Sequence, residues 1–196
     1  LKSKIRVKRY QSYKGKVGET APNILLRNFK TTKPNTKWAT DISEFKVSGN
    51  KVYLSPIIDL FNGEIISYEL SEKPNFKQVI NMLKRSFRKI PKQTNLILHS
   101  DQGWQYQMRQ YQKLLKDKGI TQSMSRKGNC LDNAVIESFF GILKSELFYL
   151  NKYKSIAQLK KVEWVYKHTY TYRSQAELSI FSWIETWYNK RRIHYF

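Results

Sequence analysis

The sequence predicts an α/β fold: a mixed five-stranded sheet flanked by helices, in the order β-β-β-α-β-α-β-α, with a helical C-terminal extension. Three observations predict it. Residues 38–72 contain three β-rich segments separated by short turn signals, which is typical of an antiparallel meander. Two amphipathic helical patterns follow, and each is succeeded by a short segment of strand length. A third helical pattern, from position 133 onward, completes the order.

The meander begins with WATDISEFKV (38–47), which alternates in character and is rich in β-forming residues. VSGN (47–50) is a hairpin signal, and KVYLSPIIDL (51–60) then forms the second strand. After the turn residues FNG, EIISYELSE (64–72) forms the third strand. Pro56 has no amide hydrogen to donate to a neighbouring strand, so we expect a bulge or an edge position there.

The second half alternates helices with single strands. The predicted segments are helix NFKQVINMLKRSFRKI (75–90), strand NLILH (95–99), helix WQYQMRQYQKLLKDKG (104–119), strand ITQSMS (120–125) and a helix over 133–147. Pro91 ends the first helix, Gly119 caps the second, and Asp132 is a predicted N-cap of the third. This order is that of the ribonuclease-H-like fold, although fold order alone does not determine a function.

The composition points to a polyanionic partner. The 196 residues include 36 Lys and Arg against 15 Asp and Glu, a formal net charge of +21, which favours nucleic acid. The alternative is a ribosomal-type or merely soluble basic protein, but 13 Tyr, 10 Phe and 5 Trp predict a packed core and stacking surfaces. The single cysteine, Cys130, excludes an intrachain disulfide and suits a reducing cytoplasm. No apolar run is long enough to predict a transmembrane helix.

Charge and the pattern of apolar and aromatic residues divide the chain into three predicted regions. Residues 1–33 form a basic arm that either follows a phosphate backbone or is a solvated tail. Residues 34–150 form the core, and 151–196 form an aromatic helical extension in which YKSIAQL (153–159) is echoed by YRSQAEL (172–178). The chain starts without Met, so we expect a fragment, a processed product or part of a longer reading frame.

Three acidic residues stand where the predicted elements could bring them together. Asp41 lies mid-way along the first strand, Asp101 at the C-terminal end of the fourth, and Glu137 in the first turns of the last core helix. If strand one is central and strand four lies beside it, the three carboxylates converge and repel one another. Divalent metal relieves that repulsion, and Mg²⁺ prefers oxygen ligands. Two ions roughly 4 Å apart suit phosphoryl transfer on nucleic acid.

The other acids nearby have simpler interpretations. We expect Asp59 to support a turn before FNG and Asp132 to cap a helix. Glu146 is nine residues after Glu137, so it points to a different face of the helix.

Three motifs in order, WATDIS (38–43), HSDQGWQY (99–106) and SRKGNCLDNAVIESFFGILKSE (125–146), resemble the integrase core of bacterial insertion-sequence transposases. This is the DDE superfamily that includes retroviral integrases, and the resemblance covers roughly residues 35–150. The 35 residues between Asp101 and Glu137 match the spacing of one subgroup. Lys144 follows Glu137 by seven residues, as the basic residue of the family does, so the two share a helix face.

The resemblance implies a transposase catalytic domain that cleaves DNA strands and transfers them. Asp41, Asp101 and Glu137 would bind two Mg²⁺ or Mn²⁺ ions, and Lys144 would contact a phosphate. The partners would be element-end DNA, target DNA and further copies of the chain, in the bacterial cytoplasm and on the nucleoid, with no membrane. The upstream helix-turn-helix segment of such transposases is missing from this sequence. Two alternatives stay open: a ribonuclease-H or resolvase-type nuclease, and a non-catalytic DNA-binding remnant.

Further residues near the motifs have both a functional and a structural interpretation. His99 shares a strand face with Asp101. It therefore either positions the metal ligands through hydrogen bonds or is a core histidine whose hydrogen bonds are satisfied within the fold. The loop residues that we expect to contact DNA, or otherwise to form a solvated loop, are Ser125, Arg126, Lys127 and Asn129. A solvated helix lysine is the alternative for Lys144.

Overall fold

The computed structural model describes residues 18–47, 50–91, 94–146 and 173–192. Within these ranges six strands form one sheet: β1 (Lys37–Thr40), β2 (Ser43–Val47), β3 (Asn50–Asp59), β4 (Ile65–Ser71), β5 (Ile97–Ser100) and β6 (Thr121–Met124). The helices are α1 (Phe76–Ser86), α2 (Trp104–Gln107), α3 (Arg109–Asp117), α4 (Ala134–Lys144), α5 (Arg173–Ser182) and a π-helix (Trp183–Arg192). Short 3₁₀ turns cover Phe87–Lys89 and Cys130–Asn133. The 1–17 part of the basic arm, turn residues 48–49 and the first YKSIAQL copy lie outside the described residues.

The sheet is mixed, as predicted, and contains six strands rather than five. Its order is β2-β3-β1-β5-β6, with β4 on the free side of β3. The pairs β1–β5 and β5–β6 are parallel, whereas β3 is antiparallel to β1, β2 and β4. The central position of β1, beside β5, is the arrangement that convergence of the acids required.

The extra strand arises because the first predicted strand is interrupted at Asp41 and Ile42. β1 and β2 keep one continuous register against β3, with the flanking pairs Thr40↔Ile57 and Ser43↔Leu54. Asp41 therefore lies opposite Pro56, which cannot donate a hydrogen bond to the ladder. Instead, the Thr40 hydroxyl donates to the Pro56 carbonyl at 2.8 Å. The prediction that Asp41 lies mid-strand is wrong, because the proline ends β1 just before it.

The irregularity predicted at Pro56 is confirmed beside it. The register of β3 against β4 shifts between Ile57 and Ile58. β3 has partners on both sides, so Pro56 is tolerated at the point where β3 changes partner from β2 to β1, and not at an edge.

The predicted helix over 104–119 is two helices, because Met108 has extended backbone angles (φ −68°, ψ 132°) between α2 and α3. Its predicted end is confirmed. Gly119 has φ +74°, and the following amide of Ile120 donates to the Leu115 carbonyl, which is a glycine-type helix end.

Two hydrophobic clusters cover the two faces of the sheet. Trp38 and Ala39, neighbours in β1, point into different clusters, as the two-residue period of a strand requires. The Trp38 cluster includes residues of α1, α2 and α3, whereas the Ala39 cluster includes α4, α5 and the π-helix. The C-terminal helices therefore share a core with α4. Within the described ranges, none of the helices combines the length and the apolar composition of a membrane-spanning segment.

Candidate metal centre and nucleic-acid site

Asp41 and Asp101 directly follow two adjacent parallel strands. In the register of β1 and β5, Trp38 pairs with Leu98 and Ala39 with His99. Two residues further along the same register, Asp41 stands next to Asp101. The carboxyl ends of parallel strands meet at one edge of the sheet, which is where open α/β sheets bind ligands.

A backbone amide orients each of these two carboxylates. Asp41 Oδ1 accepts a hydrogen bond from the Ile42 amide at 2.7 Å, and Asp101 Oδ1 accepts one from the Gly103 amide at 2.8 Å. A Cβ atom at position 103 would lie 2.9 Å from Asp101 Oδ1 and 3.3 Å from the Tyr106 ring, so glycine leaves the room that this orientation needs. Among the described residues, no hydrogen bond reaches the second oxygen of either carboxylate, which leaves one oxygen of each available to a ligand.

Glu137 approaches from α4. This helix packs on the Ala39 face of the sheet through Ile136, Phe139, Phe140 and Leu143. Glu137 lies in its first turn and is exposed. Asp41 follows Ala39 by two positions in the register that β1 and β2 share, so it lies on the Ala39 face of the sheet, which α4 covers.

The pKa values of all three carboxyl groups are raised. Burial, followed by the negative charge of Asp101 and then that of Glu137, raises the pKa of Asp41 to about 8. The hydrogen bond from the Ile42 amide and the charge of Lys144 act on this pKa in the opposite direction. Burial raises the pKa of Asp101 against the lowering effect of the Gly103 amide. Burial and the charge of Asp101 raise the pKa of Glu137. Each acid thus interacts electrostatically with the others, and a bound cation would remove the conflict.

The donor chemistry fits a hard divalent cation, because all three groups supply carboxylate oxygens. As they stand, no three Asp, Glu, His or Cys side chains of the described residues form a group that could hold a metal ion. Asp41 and Asp101 would therefore form the fixed half of a centre, and Glu137 would complete it from the helix.

Lys144, the last residue of α4, is half-buried rather than freely solvated. Its Nζ lies 5.4 Å from the centre of the Phe45 ring, within the range of a cation–π contact. Burial lowers the pKa of Lys144, whereas the charges of Asp41 and Glu44 raise it. Lys144 therefore lies on the side of α4 that faces the acids.

The predicted DNA-contacting loop is held mainly by internal hydrogen bonds. Ser125 is buried, and its Oγ lies 3.1 Å from His99 Nε2. Arg126 binds Asp132 through both its side chain and its amide, and Asn129 Oδ1 accepts from Arg27. Lys127 is exposed at the tip. Contact of these residues with DNA stays a prediction.

His99 is fully buried between two serines, and its hydrogen bonds determine its tautomer. Ser123 Oγ accepts from the amides of Ile24 and Leu25, so its own hydrogen is directed to His99 Nδ1, 2.8 Å away. Nδ1 is then an acceptor, and Nε2 carries the proton towards Ser125 Oγ. Burial lowers the pKa of His99, in agreement with a neutral ring. His99 thus connects the strand of Asp101 to the loop before α4.

The prediction that Asp132 is a helix cap is wrong. Asp132 lies in the 3₁₀ turn before α4, is fully buried, and binds Arg126, Arg27 and Asn23. Hydrogen bonds from Arg126 and Arg27 hold the pKa of Asp132 well below its usual range. The sequence signal for this role was an acid inside a basic loop, but the two partners from the N-terminal segment are over a hundred residues away.

The other competing acids have structural partners. Asp59 accepts hydrogen bonds from the amides of Asn35 and Phe61, which confirms its predicted turn role. Glu146 accepts a hydrogen bond from Trp183 Nε1 at 2.9 Å, which ties the end of α4 to the C-terminal helices.

The metal-free protein should lose stability as pH rises from about 4 to about 8. In this window the folded state keeps the proton on Asp41, whose pKa is raised from 3.8 to about 8, while the unfolded state has released it. Because the folded state binds more protons there, each rise in pH favours unfolding. Urea denaturation in EDTA at a series of pH values measures the slope. Asp41→Asn should flatten it, and an unchanged slope in that variant would contradict the assignment.

The sequence of the chain is similar to known protein families and individual proteins. The Integrase core domain family matches residues 31–130, and a second Integrase core domain family matches residues 137–162. The chain is 60% identical over 173 residues to the Escherichia coli protein named as transposase InsK of insertion sequence element IS150, covering 88% of this chain and 61% of that protein. It is 51% identical to a transposase-like protein of Haemophilus influenzae, covering 91% of this chain and 82% of the relative.

A solved structure confirms the fold. The chain is similar to a chain of the simian T-cell lymphotropic virus intasome in complex with the PP2A regulatory subunit B56 gamma, with a TM-score of 0.55 and 18% identity. The match covers 85% of this chain and 50% of that one, so it supports the ribonuclease-H-like architecture alone. The family match over residues 31–130 and the 51% identical relative lead to one conclusion: the chain belongs to the integrase-core family of bacterial insertion-sequence transposases.

Proposed function

We propose that this chain is the catalytic domain of a transposase that cleaves and joins DNA strands in a reaction dependent on divalent metal. One observation carries the proposal. Asp41 and Asp101 stand side by side at the ends of two parallel strands, with the helix of Glu137 on the same face. An acidic edge of this kind in a chain of net charge +21 suits metal ions and a nucleic-acid phosphate together.

In this proposal Asp41, Asp101 and Glu137 hold Mg²⁺ or Mn²⁺, as two ions. When bound, the ions supply charge neutralisation for the attacking and leaving oxygens of a phosphodiester. The protein contributes the fixed geometry: the amides of Ile42 and Gly103 orient the two aspartates before any ligand arrives. Lys144, half-buried beside Phe45, would meet a non-bridging phosphate oxygen.

The reaction would have two steps. Water attacks a phosphodiester at an element end, the P–O3′ bond breaks, and the departing oxygen takes a proton to become a free 3′-hydroxyl. That hydroxyl attacks a second phosphodiester in target DNA and displaces its 3′ oxygen. No covalent protein–DNA intermediate is required.

The partners in this proposal are element-end DNA, target DNA and further copies of the chain. The related viral chain lies in an intasome, and the E. coli relative is longer than this chain. An upstream DNA-recognition segment would belong to the complete protein.

The test uses the complete protein on element-end DNA with Mg²⁺ and follows both cleavage and strand transfer. Cleavage without joining would favour the ribonuclease-H or resolvase-type alternative. Titration calorimetry with Mn²⁺ separates the other alternative, because a DNA-binding remnant would bind DNA by counterion release without binding the metal. The matched control is the triple variant Asp41→Asn, Asp101→Asn, Glu137→Gln, in which Mn²⁺ heat should disappear.

Lys144→Ala should reduce strand cleavage on the order of 100-fold, because it removes a preorganised charge at the phosphate. Mn²⁺ affinity should change little, since Lys144 is not a metal ligand. Lys144→Arg keeps the charge and should retain more activity than Lys144→Ala. Cleavage rates at saturating metal measure the effect. Equal rates for Lys144→Ala and the parent would leave Lys144 as a packing residue on Phe45.

A further inference from the structure

The segment 19–28, here called the N-terminal strap, is bound along β6. The Met124 amide donates to the Pro22 carbonyl at 3.2 Å, and the amides of Ile24 and Leu25 both donate to Ser123 Oγ. Leu25 is buried. Part of the predicted basic arm is therefore bound to the edge of the sheet. It lies on β6, the strand that leads into the loop before α4.

The strap also reaches the turn that precedes α4. Arg27 Nε donates to Asp132 Oδ1 at 2.8 Å, Arg27 Nη2 donates to Asn129 Oδ1 at 2.9 Å, and Asn23 Nδ2 donates to Asp132 Oδ2 at 2.9 Å. From within the loop, Arg126 contributes two further side-chain bonds to Asp132, at 2.9 Å each. With the Arg126 amide at 3.0 Å, the fully buried Asp132 carboxylate accepts five hydrogen bonds, and two of them come from the strap.

The strap is held in a backbone conformation that it would rarely adopt alone. Leu26 and Arg27 have φ values of 48° and 61°, in the left-handed region that residues with a side chain disfavour. Such a conformation persists only where the surroundings overdetermine it, and such positions cluster at functional sites. Here the surroundings are the bonds of Asn23 and Arg27 to the turn.

The turn has a direct consequence for Glu137. Asp132 lies in Cys130–Asn133, α4 begins at Ala134, and Glu137 is in its first turn. The N-cap residue of α4, Asn133, makes no side-chain capping bond, and the bonds to Asp132 fix the turn directly before the helix. At its other end the loop is held by Ser125 to His99, on the strand of Asp101.

We propose that Arg27 is a positioning residue: through Asp132 it holds the start of α4 and thereby sets Glu137 relative to Asp41 and Asp101. The inference rests on the proposed function only in taking Glu137 as a metal ligand. It gives the strap a role in the catalytic site. Arg27 itself does not contact the acids.

The first experiment is amide hydrogen exchange on the metal-free full chain. Arg27→Gln should raise exchange in peptides covering 125–137, while Lys30→Gln, an exposed strap-adjacent residue with the same change of charge, should not. Arg27→Lys keeps the charge but lacks the fork that binds Asp132 and Asn129 together, so it should restore protection only in part. Unchanged exchange in Arg27→Gln would overturn the inference.

The second experiment measures Mn²⁺ affinity in a double-mutant cycle with Glu137→Gln. Arg27→Gln should weaken Mn²⁺ binding about 10-fold in the parent and have little effect when Glu137 is already replaced. Equal weakening in both backgrounds would overturn a role through Glu137. If the parent bound no Mn²⁺, the proposed function would fail, while the exchange measurement would still decide whether Arg27 holds the start of α4.

Discussion

With Mg²⁺ and element-end DNA, the Asp101→Asn variant of the complete protein is expected to lose about 10³-fold or more in strand cleavage while folding as the parent does. The amide has the shape of the carboxylate and its oxygen can still accept from the Gly103 amide. What disappears is the negative charge that a divalent cation would use. Cleavage and strand transfer should fall together, because both steps use the same ions.

The same substitution should leave the metal-free fold at least as stable as the parent. The charge of Asp101 raises the pKa of Asp41 and of Glu137, so its removal relieves repulsion among three acids. Loss of activity combined with unchanged or higher thermal stability separates a ligand from a structural residue. Asp117→Asn, the same chemical change at an exposed position at the end of α3, is the matched control and should retain full activity. Cleavage by Asp101→Asn at the parental rate would end the assignment.

Trp183→Ala is expected to destabilise the chain by about 3–5 kcal/mol, the usual cost of removing a large buried aromatic side chain. Trp183 is buried beside Phe139 of α4, with ring centres 6.0 Å apart, and stacks on Trp187 at 5.3 Å. Its Nε1 also donates to Glu146. The C-terminal helices thus cover the outer side of the helix that carries Glu137, and the loss should appear in chemical denaturation of the whole chain as one transition.

Leu178→Ala provides the control for this prediction. Leu178 lies on α5, five residues before Trp183, and is 68% exposed, so its truncation should change the free energy of unfolding by no more than about 0.5 kcal/mol. If Trp183→Ala instead produced a separate early transition with the main transition unchanged, the C-terminal helices would be an independent unit. The predicted boundaries at 33/34 and 150/151 stay predictions until such measurements are made.

Local chemistry in the sequence determined most of the elements. The two-residue period of the strands, the glycine end of α3 and the bond of Asp59 to the Phe61 amide in its turn all depend on residues close together in the chain, and all are confirmed. Spacing and motif also indicated the family, because three acidic motifs in a set order constrain far more than any one residue.

Contacts between distant residues decided the rest. Pro56, on the strand paired with β1, interrupts the strand of Asp41, and two of the partners of Asp132, Asn23 and Arg27, lie over a hundred residues earlier in the chain. Neither effect can be predicted from neighbouring residues. A proline predicts an irregularity in its own strand, and an acid before a helix predicts an N-cap. Residue type and short spacing therefore determined which groups could carry the chemistry. Which of these groups lie close together was decided only by the packing of the sheet, with β1 beside β5 and the strap along β6. That packing depends on the free energy of the whole fold.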